Sequence, residues 1–398
     1  MRLVEVIMNK RWFFRLVSSG AVPSVLAIVL GLSIGFSVIL ITSPAQAVNG
    51  FMSIMRGGFG NMRDLGQVLF FATPIIMTGL SVGFSMRAGL FNIGASGQFI
   101  VGAFVAIFVG VRFYWLGTPW HWMVGLLAAM VFGALWGLIP GLLKAYRNVH
   151  EVISTIMMNY IGMFLVNHTI INTIHDTMRN QTMRVVPTAN VPRAGLDEVF
   201  RHGHFASSAN SGIIISIIMA VVAYIIIEKT TLGYELRACG LNANAAKYAG
   251  INTRRGIVVS MMISGAFAGL GGALLYLSGA GNGIDVVDVL ADEGFQGIVV
   301  ALLGLANPIG IIFAGFFVAH LQVGGFNMQL YGFPAEVIDV ILAIIIYFSA
   351  FALIIRGFIQ NYILGKSKIL GKVKEGQNPL DTSGTTATSI AAEGGTKK

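Results

Sequence analysis

TTLGYELRACGLNANAAKYAGINTRR, residues Thr230–Arg255, runs straight into GIVVSMMISGAFAGLGGALLYLSGAGNGI, residues Gly256–Ile284, and the contrast between the two decides the fold. The second stretch carries no Asp, Glu, Lys or Arg. It is long enough for a helix that crosses the hydrocarbon core of a bilayer, which takes about 20 predominantly apolar residues. The first stretch is polar and rich in small residues. It reads as two short helices ending at Gly240 and Gly250, with Asn242 or Asn244 positioned to cap the second. Two turns of helix are marginal alone in water, so the segment is expected to rest against a partner.

Outward from this pair, uncharged runs recur along the chain: Leu16–Met55, Leu65–Met86, Ala88–Val111, Phe113–Leu143 and Gly294–Ala335, with shorter ones after Glu151, before Glu228 and after Asp339. Hydrophobic residues make up 55% of the sequence and charged residues 11%, against a usual charged share of roughly 25%, which excludes an ordinary soluble domain. The fold class predicted is an all-α polytopic membrane protein with about ten spans. They lie near 22–42, 65–86, 88–111, 122–143, 152–171, 209–227, 256–279, 295–306, 309–328 and 337–355. The eighth is short for a full crossing and reads as a partial or tilted pass. Glycines at GxxxG spacing, Gly31/Gly35, Gly79/Gly83, Gly133/Gly137/Gly141 and Gly265/Gly269, predict close helix contacts where no hydrophobic effect drives association.

The formal net charge of +9 does not point to nucleic acid, because in a membrane protein the distribution of Lys and Arg sets orientation. With both termini cytoplasmic, the cytoplasmic pieces hold 19 of the 26 basic residues and the external pieces 7. Basic ends beside spans suit lipid headgroups. The predicted organisation is a cytoplasmic N-terminus over 1–21, a transmembrane domain over 22–365, and a cytoplasmic tail over 366–398, basic at first and then Gly/Ser/Thr-rich and disordered. Within the transmembrane domain lie an external loop over 172–208 and the cytoplasmic segment 230–255. Lys10, Arg11 and Arg15, an apolar run and Ala45-Gln46-Ala47 imitate a cleavable leader, but the run is longer than the usual 7 to 15 or so residues and is read as a retained first span. Cys239 stands alone, which excludes an internal disulfide or a multi-thiolate metal site.

Residues able to do chemistry are sparse. Gly365-Lys366-Ser367 is no P-loop, since Gln360 stands where its first glycine belongs and no strand precedes it. Asp285, Asp288 and Asp292 resemble in spacing the diphosphate-binding aspartates of membrane prenyltransferases, where carboxylates hold Mg²⁺. No second cluster accompanies them, and a solvated external loop is the competing reading. His175, His202 and His204 share the loop over 172–208 without matching carboxylates, and His121, His168 and His320 sit near span ends, suited to interfacial hydrogen bonds. Polar groups inside spans are costly and mark function by default. Asn92, Ser96 and Gln98, among the glycines of Gly89–Gln98, read as an interrupted segment exposing polar groups to a cavity, or else as amides that bridge helices. Asn159 and Tyr160, and Phe295 and Gln296, are candidates of the same sort. None is charged, which suits a neutral polar solute.

These motifs, Thr78-Gly79-Leu80 through GLFNIGASGQ (Gly89–Gln98), GLIPGLLKAYRNVHEV (Gly137–Val152), EVISTIMMNYI (Glu151–Ile161), LGYELRACGLNANAAKYAGI (Leu232–Ile251), GFQGIVVALLGLANPIG (Gly294–Gly310) and PAEVIDVILAI (Pro334–Ile344), resemble the permease subunits of bacterial ATP-binding-cassette importers. The branch is the one that serves ribose-like sugars, branched-chain amino acids and nucleosides, and the likeness is greatest to the larger permease of nucleoside importers. The resemblance implies a type II-like importer bundle in the bacterial plasma membrane. It also implies a heterodimer with a second related permease, a cytoplasmic ATPase with two cassettes that binds ATP and Mg²⁺, and an external substrate-binding lipoprotein. This chain would hold no cofactor and would be no enzyme. Leu232–Ile251 would be the coupling helix, with Gly233, Glu235, Arg237, Ala238, Ala245, Ala246 and Gly250 matching the family pattern; Cys239 and Asn242 depart from it. Asn92–Gln98 would face the translocation path. The competing class is an ion-coupled secondary transporter, which needs acidic or basic residues within the spans; Glu336 and Asp339 are the acids nearest a span centre.

Overall fold

The computed structural model describes residues 21–348 apart from 282, 335, 338, 342, 345 and 346. The N-terminal piece before Ala21, the last span beyond 348 and the tail over 366–398 lie outside the described residues. The chain divides into a unit of Leu30–Tyr347 and one of Met1–Val29 with Phe348–Lys398; in the latter, Ala21–Val29 and Phe348 are helical. All that follows concerns the larger unit.

Helix α1 (Ala21–Thr42), of which Leu30–Thr42 belong to this unit, is followed by α2 (Ala47–Arg56), α3 (Met62–Arg87), α4 (Ala95–Arg112), α5 (Trp120–Arg147) and α6 (Glu151–Thr173). Next come a hairpin of His175–Asp176 with Gln181–Thr182, the short helix α7 (Leu196–Val199) and a second hairpin of Arg201–His202 with Phe205–Ala206. Then follow α8 (Gly212–Lys229), α9 (Thr231–Leu241), α10 (Ala243–Tyr248), α11 (Thr253–Tyr276), α12 (Asp292–Leu303) and α13 (Pro308–Met328). Described residues between 336 and 348 are helical.

Among the described residues, six helices are long and apolar enough to cross a membrane: α3, α4, α5, α8, α11 and α13 with its terminal turn to Tyr331. The sequence reading of ten spans differs from this for identifiable reasons. Helix α6 is long, but Asn159, Asn167 and His168 lower its hydropathy. Helix α12 has 12 residues, about 18 Å at 1.5 Å per residue, little more than half the hydrocarbon core. Its partial character matches the reading of the eighth span. The third span begins later than expected: Gly89 takes a left-handed φ of 73°, and the helix resumes at Ala95.

Close packing centres on α11, which crosses α4 and α5 at glycines. A side chain at Gly269 would strike Ala129 O of α5 and approach Gly133 Cα to 3.0 Å; one at Gly102 of α4 would strike Gly269 itself. The expected GxxxG rows are therefore contact faces, with backbones brought within reach of each other's van der Waals surface. On the neighbouring seam, Gly79 of α3 lies against Val300 and Ile311, and Gly83 lies against Ile311. A cluster of Val101, Ala103, Ile107, Val166, Ile170, Ile174 and Ile284 fills the space between α4 and α6.

The segment over 172–208 covers one end of this bundle. Val186 N donates to Gly110 O, Val191 N donates to Leu277 O at 2.8 Å, and His121 joins Thr188 Oγ1 (2.9 Å) to Val109 O (3.0 Å). His320 likewise bridges Gly58 N and Met55 O. These histidines serve as hydrogen-bonding ties at helix ends.

Candidate functional site

The interrupted segment re-enters the bundle. From Arg87 the chain turns at Gly89 and climbs back through Asn92, which meets Ser264, eleven residues into α11 and so about 16 Å along its axis. Asn92 Nδ2 donates to Gln98 Oε1 (2.9 Å) and to Ser264 Oγ (2.7 Å), while its Oδ1 accepts from Gly94 N (2.9 Å). Ser264 Oγ donates in turn to Ser81 O (2.7 Å). Asn159 of α6 clasps the same segment, its Oδ1 accepting from Gly97 N (2.8 Å) and its Nδ2 donating to Ile93 O (3.0 Å).

A second interruption meets the first. The chain over 284–291 descends beside Asn167, whose Nδ2 donates to Val287 O (2.9 Å), and α12 starts against the first turn of α4. Ser96 Oγ donates to Ala291 O (2.8 Å), and a side chain at Gly294 would overlap Ser96. The N-termini of α4 and α12 thus converge inside the bundle. Helix N-termini carry unsatisfied N–H groups and partial positive charge, and Asp292 and Glu293 in the first turn of α12 complement that charge.

The seven residues expected along a path fall into two sets. Asn92, Ser96, Gln98 and Asn159 are at most 1% exposed and are hydrogen-bonded within the chain, so they hold the interrupted segment in shape. Tyr160 and Phe295 are exposed on the surface of the chain, and Gln296, half-buried, has an Oε1 with no hydrogen-bond partner. The three aspartates do not gather. Asp285 pairs by backbone with Gln181, Asp288 accepts from Asn167 (3.3 Å) and Asp292 opens α12. Among the described residues no group of three or more His, Cys, Asp or Glu is arranged to hold a metal.

At the end of the bundle bearing Arg87, the polar segment forms α9 and α10. Thr230 caps α9, accepting from Gly233 N (3.1 Å), and Asn242 both ends α9 and caps α10, accepting from Ala245 N (3.0 Å). The first helix therefore runs one residue past Gly240, which serves another purpose: a side chain there would come within 2.6 Å of Arg87 O and 2.8 Å of Gly89 N. The second ends before Gly250, whose φ is 82°.

Residues assigned to docking divide as well. Gly233 packs on the last turn of α8, Ala246 is buried, and Arg237 forms an ion pair with Glu228 of α8. These three face their own bundle. Glu235 and Ala238 are half-buried, and Ala245 and Gly250 are exposed. Burial, then the charge of Glu235, pushes the Cys239 thiol above its usual range. Sequence reasoning missed the largest exposed groups, Tyr234, Leu241 and Tyr248, at 66%, 89% and 94% exposure. Large apolar side chains on a short polar segment were the available signal.

It also missed Arg87. Its Nε donates to Ala306 O (2.8 Å) and its guanidinium lies 3.9 Å from Glu228, which also holds Arg237. The carbonyl belongs to a turn where Leu305 and Ala306 have φ of 56° and 52°, sparsely populated for residues with side chains. Arg87 therefore knots together the end of α3, the α12–α13 turn, the end of α8 and, through Glu228, α9. Opposite charges at the ends of two spans, Arg87 and Glu228, were the sequence signal.

Comparison with known proteins agrees with this architecture. The family described as branched-chain amino acid transport system / permease component matches residues 65–350. The chain is 40% identical over 348 residues to a guanosine ABC transporter permease protein, NupP, of Bacillus subtilis, covering 87% of this chain and 96% of the relative. It is 37% identical to a nucleoside ABC transporter permease protein, NupB, of Lactococcus lactis, covering 83% and 91%. A second Bacillus subtilis guanosine ABC transporter permease protein, NupQ, is 30% identical, covering 64% of this chain and 79% of that one. No solved structure matches.

Proposed function

Because the chain belongs to the family of branched-chain amino acid transport system permease components, we propose that it is the permease subunit of an ATP-driven importer of nucleosides. It is not itself an enzyme. ATP and Mg²⁺ are bound by a separate cytoplasmic ATPase with two cassettes, and an external lipoprotein delivers the solute. The permease works beside a second, related one, a reading supported by the two differently named guanosine permeases of a single organism. It sits in the plasma membrane with both termini cytoplasmic. Up to ten helices enter the bilayer, α12 by about half its depth.

The observation that carries the reading is the outward surface of α9 and α10. Tyr234, Leu241 and Tyr248 project from a polar segment whose other face is locked to the bundle through Gly233, Ala246 and Arg237. Such a surface suits the groove of a partner, and the ion pairs to Glu228 and Arg87 connect it to the α12–α13 turn. ATP binding closes the cassettes and carries the segment with them, and rigid movement of the bundle exchanges the side on which the path is open. Solute and ATP must favour different states for import to proceed. The path is lined by Tyr160, Phe295 and Gln296, shaped from behind by Asn92, Ser96, Gln98 and Asn159.

The test is the complete transporter reconstituted in proteoliposomes with Ala245→Asp or Tyr248→Asp. Nucleoside uptake and binding-protein-stimulated ATP hydrolysis are expected to fall by about tenfold or more, as for loss of a contact worth roughly 1.4 kcal/mol. Thermal stability of the permease should stay unchanged. Full stimulation and uptake in both variants would overturn the docking surface.

A further inference from the structure

Where α5 and α11 leave their glycine crossing, a groove opens at the end of the bundle shared with α9 and α10. Its volume is about 320 Å³, and it is lined by Leu142 and Tyr146 of α5 and by Asn252, Arg254, Arg255, Val258 and Val259 at the start of α11. This is within the range of about 300–1,000 Å³ typical of small-molecule sites. The lining is graded. Leu142, Val258 and Val259 belong to the uncharged runs and form an apolar wall, whereas Asn252, Arg254 and Arg255 form a cationic mouth.

Among the described residues nothing neutralises the mouth. Among the described residues, neither Arg254 nor Arg255 has a carboxylate at ion-pair distance, although Lys144 nearby is paired with Glu151 at 2.9 Å and Arg237 with Glu228. Arg254 lies over the Tyr146 ring, 5.6 Å from its centre, so the ring orients the guanidinium without cancelling its charge. Asn252 Oδ1 is engaged by Arg255 N (3.1 Å), which fixes the mouth to the first turn of α11.

We propose that this groove is a seat for one anionic phospholipid, with Arg254 and Arg255 on the headgroup phosphate and the glycerol and first acyl carbons along Leu142, Val258 and Val259. Charge complementarity selects an anion, and guanidiniums are the side chains best matched to phosphate oxygens. A soluble phosphate would satisfy the mouth and leave the apolar wall unfilled, whereas a lipid fills both. The inference needs only that the chain is embedded in a bilayer, so it stands or falls independently of the transported solute.

The full-length protein, purified in its complex and stripped of lipid in detergent, is titrated with dioleoylphosphatidylglycerol and read by native mass spectrometry. One tightly held lipid is expected, with affinity weakened roughly fivefold for each arginine removed in Arg254→Gln, Arg255→Gln and the double variant, the effect of about 1 kcal/mol per basic residue near an anionic surface. Arg147→Gln, outside the groove, should change little. Val258→Trp keeps both charges and fills the apolar wall; it should lose the lipid equally, and it decides the matter if the double variant does not fold. Three results would overturn the proposal: undiminished binding in the double variant or in Val258→Trp; equal retention of dioleoylphosphatidylcholine, marking a merely annular lipid; or displacement of the lipid by millimolar inorganic phosphate alone, marking a free-anion site.

Discussion

Asn92 is hydrogen-bonded at both ends of its amide and fully buried. In surroundings of low dielectric, each partner left without its bond costs about 1–3 kcal/mol. Asn92→Ala strands Gln98 Oε1 and Gly94 N and takes one of Ser264's partners, so detergent-solubilised protein should be destabilised by roughly 2 kcal/mol or more in thermal or denaturant unfolding. Uptake per folded molecule should keep its KM, because the amide is buried and its bonds are all within the chain. That Asn92 and Gln98 matter was legible in the sequence, since amides at such positions are costly without partners. Which partners they take was not, because Ser264 lies 172 positions away. The same holds for Asn159, which meets Gly97 across 62 positions. Exposure sorted what composition could not, separating Tyr160 and Phe295 from the internal network.

At the level of elements, the glycine rows were the most readable feature, because GxxxG spacing states a face and its purpose together. Gly269 meets α5, and Gly102 of α4 meets it in turn. Gly269→Val should therefore force the three helices apart and lower stability by about 1–3 kcal/mol, the usual range for overpacking. Urea unfolding of the solubilised chain measures it, and an unchanged midpoint would mean that α11 does not cross where described. Helix ends were less readable. Gly240 looked like a terminator, yet α9 continues to Leu241, because the stop is supplied by Asn242 in extended backbone, φ −158° and ψ 102°, serving both helices. Glycine's two uses, at a left-handed turn and at a close approach, look alike in one dimension and are told apart only by what lies opposite.

For the molecule as a whole, counting uncharged runs found the membrane class, and six of the described helices are long and apolar enough to cross. A run says that a segment is apolar, while its depth depends on where the chain breaks. Gly294–Ala335 is one uncharged run, already read as two passes, and the structure divides it between the short α12 and the long α13, with left-handed residues Leu305 and Ala306 at the turn. Orientation rests on the excess of basic residues on one side and is open to direct measurement. In a Cys239→Ala background, Met178→Cys and Tyr248→Cys place thiols at opposite ends of the bundle, both at positions 94% exposed. A membrane-impermeant maleimide applied to intact cells should label residue 178 and spare residue 248 until the membrane is permeabilised. The reverse pattern would invert the topology and with it the assignment of α9 and α10 to an ATPase.

Gly89 and Gly240 touch backbone to backbone, a side chain at Gly89 coming within 2.8 Å of Gly240 Cα. The interrupted segment and α9 thus share a joint with no side-chain chemistry in it. The glycine contact itself carries no charge, so salt and pH have nothing in it to act on. Its only variable is thickness. A ladder of added carbons at position 240, from Ala to Val to Leu, would act as a shim between the two segments without adding or removing a charge.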